Sequence, residues 1–142
     1  MNILLDNRSS WPDLTCDLYQ EWARRVLVAE KQADTVELSI SLVDEAEIQA
    51  LNQRWRQIDA PTDVLSFECD AQMLGDVVIC PAVAAQHARD FDSSFPAEMG
   101  LMLTHGILHL LGYDHIEDDQ AAVMEARENE LLGQCGIISS SR

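Results

Sequence analysis

His105-Gly106-Ile107-Leu108-His109-Leu110-Leu111-Gly112-Tyr113-Asp114-His115 closes a longer apolar run that carries Met99, Leu101, Met102 and Leu103. Apolar residues on nearly every side predict a helix at the centre of the core, from about Ala97 to Leu111. Two imidazoles set four apart share one face of such a helix, with Cβ atoms roughly 5–6 Å apart, so both can reach one ion. Gly112 is free to adopt the left-handed conformation that ends a helix, which lets the chain turn and bring His115 back as a third ligand. Three protein ligands leave a fourth position for water, the arrangement of catalytic zinc. A buried, unpartnered imidazole is costly, and a metal ion removes that cost.

The H-x-x-x-H-x-x-G-x-x-H spacing is shared with the metzincin peptidases, which place a Glu directly after the first His as general base. Gly106 stands at that position. The metal-binding half of the motif is present without the protease half, which argues against simple peptide hydrolysis.

The remaining elements are arranged around that helix. Leu14, Leu18, Trp22, Val26 and Leu27 recur at helical spacing between about Trp11 and Ala29, and residues 2–6 alternate weakly as a short strand. Residues 35–43 alternate strictly and predict the clearest strand; Asp44 then caps a helix with Ile48, Leu51 and Trp55 on one face. Strands are expected at Val64–Phe67 and Leu74–Ile79, several of them joined by hairpins. Helices follow from Pro81 to about Phe91 and, strongly acidic, from about Asp118 to Leu132, with Gly133 ending the last. The expectation is a single α+β domain over 1–142, one mixed sheet of about four strands covered by about five helices, with a tail at 139–142.

Across its 142 residues the chain has nine Lys and Arg against 25 Asp and Glu, for a net charge of −16. A protein that binds by neutralising many phosphates is basic, so any nucleic-acid contact must be local, through a few arginines and the metal. Glu117, Asp118, Asp119, Glu125, Glu128 and Glu130 read as a solvated acidic helix face. Cys16, Cys69, Cys80 and Cys135 form no C-x-x-C pair and read as reduced. No apolar run approaches the ~18 residues of a membrane span, and no basic-then-apolar leader opens the chain, so the expected location is cytoplasmic.

A second cluster precedes the Val64 strand. Arg54 and Arg56 end the second helix, and Asp59, Thr62, Asp63 and Ser66 follow, side chains able to hold backbone or ligand. A guanidinium at that point can bind phosphate bidentately or stabilise a developing anion, making Arg54, Arg56 and Ser66 candidate substrate contacts. Asp114 is a candidate to orient a metal ligand from outside the coordination sphere. His87 reads as structural or surface, and Asp76 as either a turn residue or a cleft wall.

Leu51 to Phe67, Leu74-Gly75-Asp76-Val77-Val78-Ile79-Cys80 and His105 to His115, in that order, resemble the bacterial YbeY endoribonucleases. The resemblance implies an α+β fold with one zinc ion at the floor of a cleft, held by His105, His109 and His115. It implies a role for Arg56 in RNA binding or catalysis. It further implies cleavage of single-stranded RNA, maturation of the 16S rRNA 3′ end and ribosome quality control. Ribosomal proteins and a ribosome-assembly GTPase are the partners implied. Ile58 and Ala60 stand where members of that family often carry lysines, and Glu68 where a proline is common. This weakens autonomous RNA binding and favours delivery of substrate by a partner. Two other classes stay open: a non-catalytic assembly factor with a structural metal, and a zinc peptidase lacking the usual Glu.

Overall fold

A computed structural model describes residues 1–11, 16–69, 73–114 and 116–134. The elements run β1 (Asn2–Asn7), α1 (Cys16–Ala29), β2 (Glu37–Leu42), α2 (Glu45–Arg56), β3 (Val64–Glu68), β4 (Met73–Ile79), α3 (Pro81–Asp90), α4 (Phe95–Leu110) and α5 (Asp118–Gln134). The four strands form one mixed sheet in the order β1-β2-β4-β3. β1, β2 and β4 are parallel neighbours, and only β3 runs antiparallel, against β4. The expected set of hairpins reduces to that one pair, because parallel neighbours need crossover segments and α1 and α2 occupy them.

Period-two alternation decides which helices meet which face. Ile3, Leu38, Ile40, Leu42, Val77 and Ile79 form one core with residues from α1, α4 and α5. On the opposite face, Leu65 and Val78 pack with Val43, Ile48 and Cys80. α4 lies against the first face, buried along most of its length. Two glycines permit its close approach. A Cβ on Gly100 would lie 2.4 Å from the Trp22 ring, and one on Gly106 2.6 Å from Val77 Cγ1.

Several boundaries differ from expectation for local reasons. α4 starts at Phe95, taking Pro96 into its first turn, where the fixed proline φ is favourable. Ser94 is the cap, its hydroxyl accepting the N–H of Ala97 at 3.2 Å. Asp44 occupies the N-cap position of α2 but makes no side-chain cap bond. Its Oδ1 instead accepts from the N–H and hydroxyl of Ser10, tying the β1 exit to α2. Gly133 lies inside α5 rather than ending it. Leu18 and Trp55, assigned to buried faces by spacing, are both exposed. The expected Leu14 contact and the 139–142 tail lie outside the described residues.

Candidate metal centre and substrate face

α4 delivers His105 and His109 one turn apart. Their rings are nearly parallel, 7° between planes, with centroids 6.3 Å apart. The helix then ends in a Schellman motif: the N–H of Gly112 bonds to the His109 carbonyl and that of Tyr113 to the Leu108 carbonyl. Gly112 has φ +104°, as its place in the motif predicts. Past the turn, the Tyr113 hydroxyl donates to Glu30 Oε2 at 3.0 Å, and Arg127 of α5 holds the other oxygen of Glu30. The exit of α4 is thereby tied to α5 and to the residue that follows α1. Asp114 Oδ1 accepts the backbone N–H of Ile116, two residues on. His115, the third expected ligand, lies outside the described residues. Among those described, no three His, Cys, Asp or Glu residues come together as a metal-holding group.

Glu128 of α5 is the residue that sequence reasoning missed. Its carboxylate, only 8% exposed, lies 2.8 Å from His105 Nδ1. A carboxylate only accepts, so the ring carries its proton on Nδ1 and keeps the Nε2 lone pair for a ligand. Met124, Glu128 and Leu132 recur every four residues, so Glu128 belongs to the inward stripe of α5, not to its solvated face. Burial would push His105 below its ordinary pKa, but the hydrogen bond and charge of Glu128, with a further contribution from Asp63, outweigh it and raise the pKa. Two near-parallel imidazoles, one with its Nδ1 held by a buried carboxylate, fit the donor chemistry of a histidine metal site.

Asp63 is the other carboxylate acting on His105. Its Oδ1 accepts the N–H of Val64 at 2.8 Å, and its Oδ2 lies 3.8 Å from Nδ1 of His87 on α3. The Ser66 hydroxyl donates to the Gly106 carbonyl at 3.0 Å, so any substrate contact from Ser66 competes with its role in seating α4 on the sheet. Asp76 lies within β4, not in a turn, where Ser41 Oγ donates to it. Burial raises its pKa, against the lowering effect of its serine hydrogen bonds.

Arg54 and Arg56 stand exposed in the last turn of α2. Gln57 then adopts φ +58°, with its N–H on the Asn52 and Gln53 carbonyls. Asn52 is buried and donates through Nδ2 to the Ala60 carbonyl at 2.9 Å, clamping the loop that leads to Asp63. Among the described residues no hydrogen bond or ion pair engages Arg56.

A four-stranded mixed sheet and five helices place this histidine pair within a single α+β domain. A model of the YbeY endoribonuclease family matches residues 5–136. The chain belongs to that family. The endoribonuclease YbeY of Pseudomonas fluorescens is 42% identical over 139 residues, covering 93% of this chain and 90% of that protein. The Acidothermus cellulolyticus relative is 46% identical over 126 residues, covering 78% and 77% respectively. A solution structure from Thermotoga maritima superposes with a TM-score of 0.63 at 30% identity, covering 94% of this chain and 91% of that one. No helix among the described residues is long and apolar enough to cross a membrane.

Proposed function

We propose that this protein is a metal-dependent endoribonuclease acting on single-stranded RNA, in maturation of the 16S rRNA 3′ end and in ribosome quality control, in the cytoplasm. The observation that carries the reading is the His105–Glu128 bond beside His109, within a chain of the YbeY family. His105 and His109, with His115, would hold one zinc ion. A bound ion there would supply Lewis acidity and lower the pKa of coordinated water toward ~7. Glu128 fixes the His105 tautomer. Arg56, unengaged by any other described side chain, would neutralise charge on the phosphate under attack, and Arg54 would hold a neighbouring phosphate. Asp63 and Glu128 bring negative charge to His105, and Glu128 is committed to it, which leaves Asp63 as the candidate to orient a water.

The chain's acidity favours a second reading as a non-catalytic assembly factor with a structural metal, working with ribosomal proteins and an assembly GTPase. Zinc-loaded protein incubated with single-stranded RNA, duplex RNA and casein separates the readings. Chelator-sensitive cleavage of the single strand is expected, lost in His109→Ala together with zinc. Arg56→Ala should retain zinc and lose cleavage. Equal zinc in His109→Ala and the parent would remove the metal site, and absence of RNA products would leave the assembly reading.

A further inference from the structure

Trp55 is placed against the logic of helix packing. Its neighbours on the same helix stripe, Ile48 and Leu51, enter the smaller core, yet Trp55 remains 57% exposed. Its ring is nevertheless held. Phe67 of β3 meets it at 64° with centroids 6.0 Å apart, and the Arg54 guanidinium carbon lies 5.2 Å from its centroid. An indole fixed by an aromatic edge and a cation loses little further freedom on meeting a flat partner.

The charge around it is distinctive. Only nine of 142 residues are Lys or Arg, and two of these nine, Arg54 and Arg56, flank this one indole. Of the nearby acids, Asp59 accepts from Gln49 Nε2 at 3.0 Å, and Glu68 is exposed beyond Phe67. An apolar protein partner would have no use for an arginine on each side of the tryptophan in sequence, one of them with its guanidinium over the ring. A nucleobase with its phosphates uses all three side chains.

We infer that Trp55, braced by Phe67 and flanked by Arg54 and Arg56, is a stacking platform for one unpaired nucleobase of single-stranded RNA, with the arginines on adjacent phosphates. This rests on the RNA reading above and adds to it a source of strand selectivity. Bases in a duplex are stacked on each other and present no free face, whereas a splayed base does.

The test uses full-length protein, chelator to block cleavage, and a fluorescein-labelled single-stranded oligoadenylate, alone and annealed to its complement. Anisotropy is compared for the parent, Trp55→Ala, Trp55→Leu and Trp55→Phe. Ala and Leu should weaken single-strand binding by roughly 5- to 150-fold, the equivalent of ~1–3 kcal/mol per stacked base. Phe should retain most of the affinity, and duplex binding should not change. Thermal melting should be alike in all four, because the residue is exposed. Leu binding as tightly as Phe, or Ala as tightly as the parent, overturns the platform. A parent that neither binds nor cleaves single-stranded RNA overturns the RNA reading itself, a different result. Arg54→Gln should reduce the slope of log affinity against log salt by about 0.7; an unchanged slope removes the phosphate contact.

Discussion

Replacing Glu128 with Ala should separate metal affinity from folding. The carboxylate accepts one hydrogen bond at 2.8 Å from a ring that, in the proposed site, presents its other nitrogen to a metal. Hydrogen bonds to charged groups contribute ~1.5–3 kcal/mol, and loss of such a supporting partner typically weakens a metal site by about 10- to 100-fold. At ~1.4 kcal/mol per factor of ten the two ranges overlap, so a zinc dissociation constant raised by one to two orders of magnitude is expected. The effect on the metal-free fold should be smaller, because deleting the carboxylate also removes the cost of keeping a charge 8% exposed between two helices. Competition with a chromophoric chelator measures the first quantity and thermal melting of apoprotein the second. Glu128→Gln, which keeps an acceptor oxygen, should fall between Ala and the parent. Zinc affinity unchanged in Glu128→Ala but lost in His105→Ala would refute the coupling.

Two further perturbations probe the scaffold. Gly106→Ala gains about 1 kcal/mol of helix propensity but places a carbon 2.6 Å from Val77 Cγ1, at an overpacking cost of roughly 1–3 kcal/mol. A net fall in melting temperature is expected, larger for Gly106→Glu, and Gly106→Glu should gain no casein hydrolysis; a stabilised Gly106→Ala protein would show that the helix is not seated as tightly as described. Asp76 has its pKa raised above the ordinary 3.8 by burial. Its ionised form is therefore disfavoured in the fold, a penalty present above the raised pKa and relieved as pH falls through it. Asp76→Asn, which retains an acceptor for Ser41, should stabilise the protein at pH 7, with the gain vanishing toward pH 4; an equal gain at both pH values would contradict the assignment.

How much was readable from spacing depends on the distance between interacting groups. The i, i+4 histidines, the Gly112 turn and the alternation of β2 are local, and each follows from backbone geometry over a few residues. Gly106 was legible as the absence of a peptidase base, but its packing reason was not, since Val77 lies 29 positions earlier on another strand. Glu128 sits in a run of acids and could be singled out only by its phase with Met124 and Leu132. Trp55 shows the converse failure: its spacing with Ile48 and Leu51 assigned it inward, and the edge of β3 left it outside.

Helical phase, turn chemistry and the order of the motifs were therefore sufficient for the α+β class and for placing His105 and His109 on one helix face, because those properties depend on neighbours along the backbone. Assembly supplied the rest. Parallel pairing of β1, β2 and β4, the carboxylate behind His105, the serine under α4 and the open indole all depend on segments tens of residues apart meeting in space. Chain connectivity alone does not encode those encounters; burial of apolar faces and satisfaction of hydrogen bonds select them jointly.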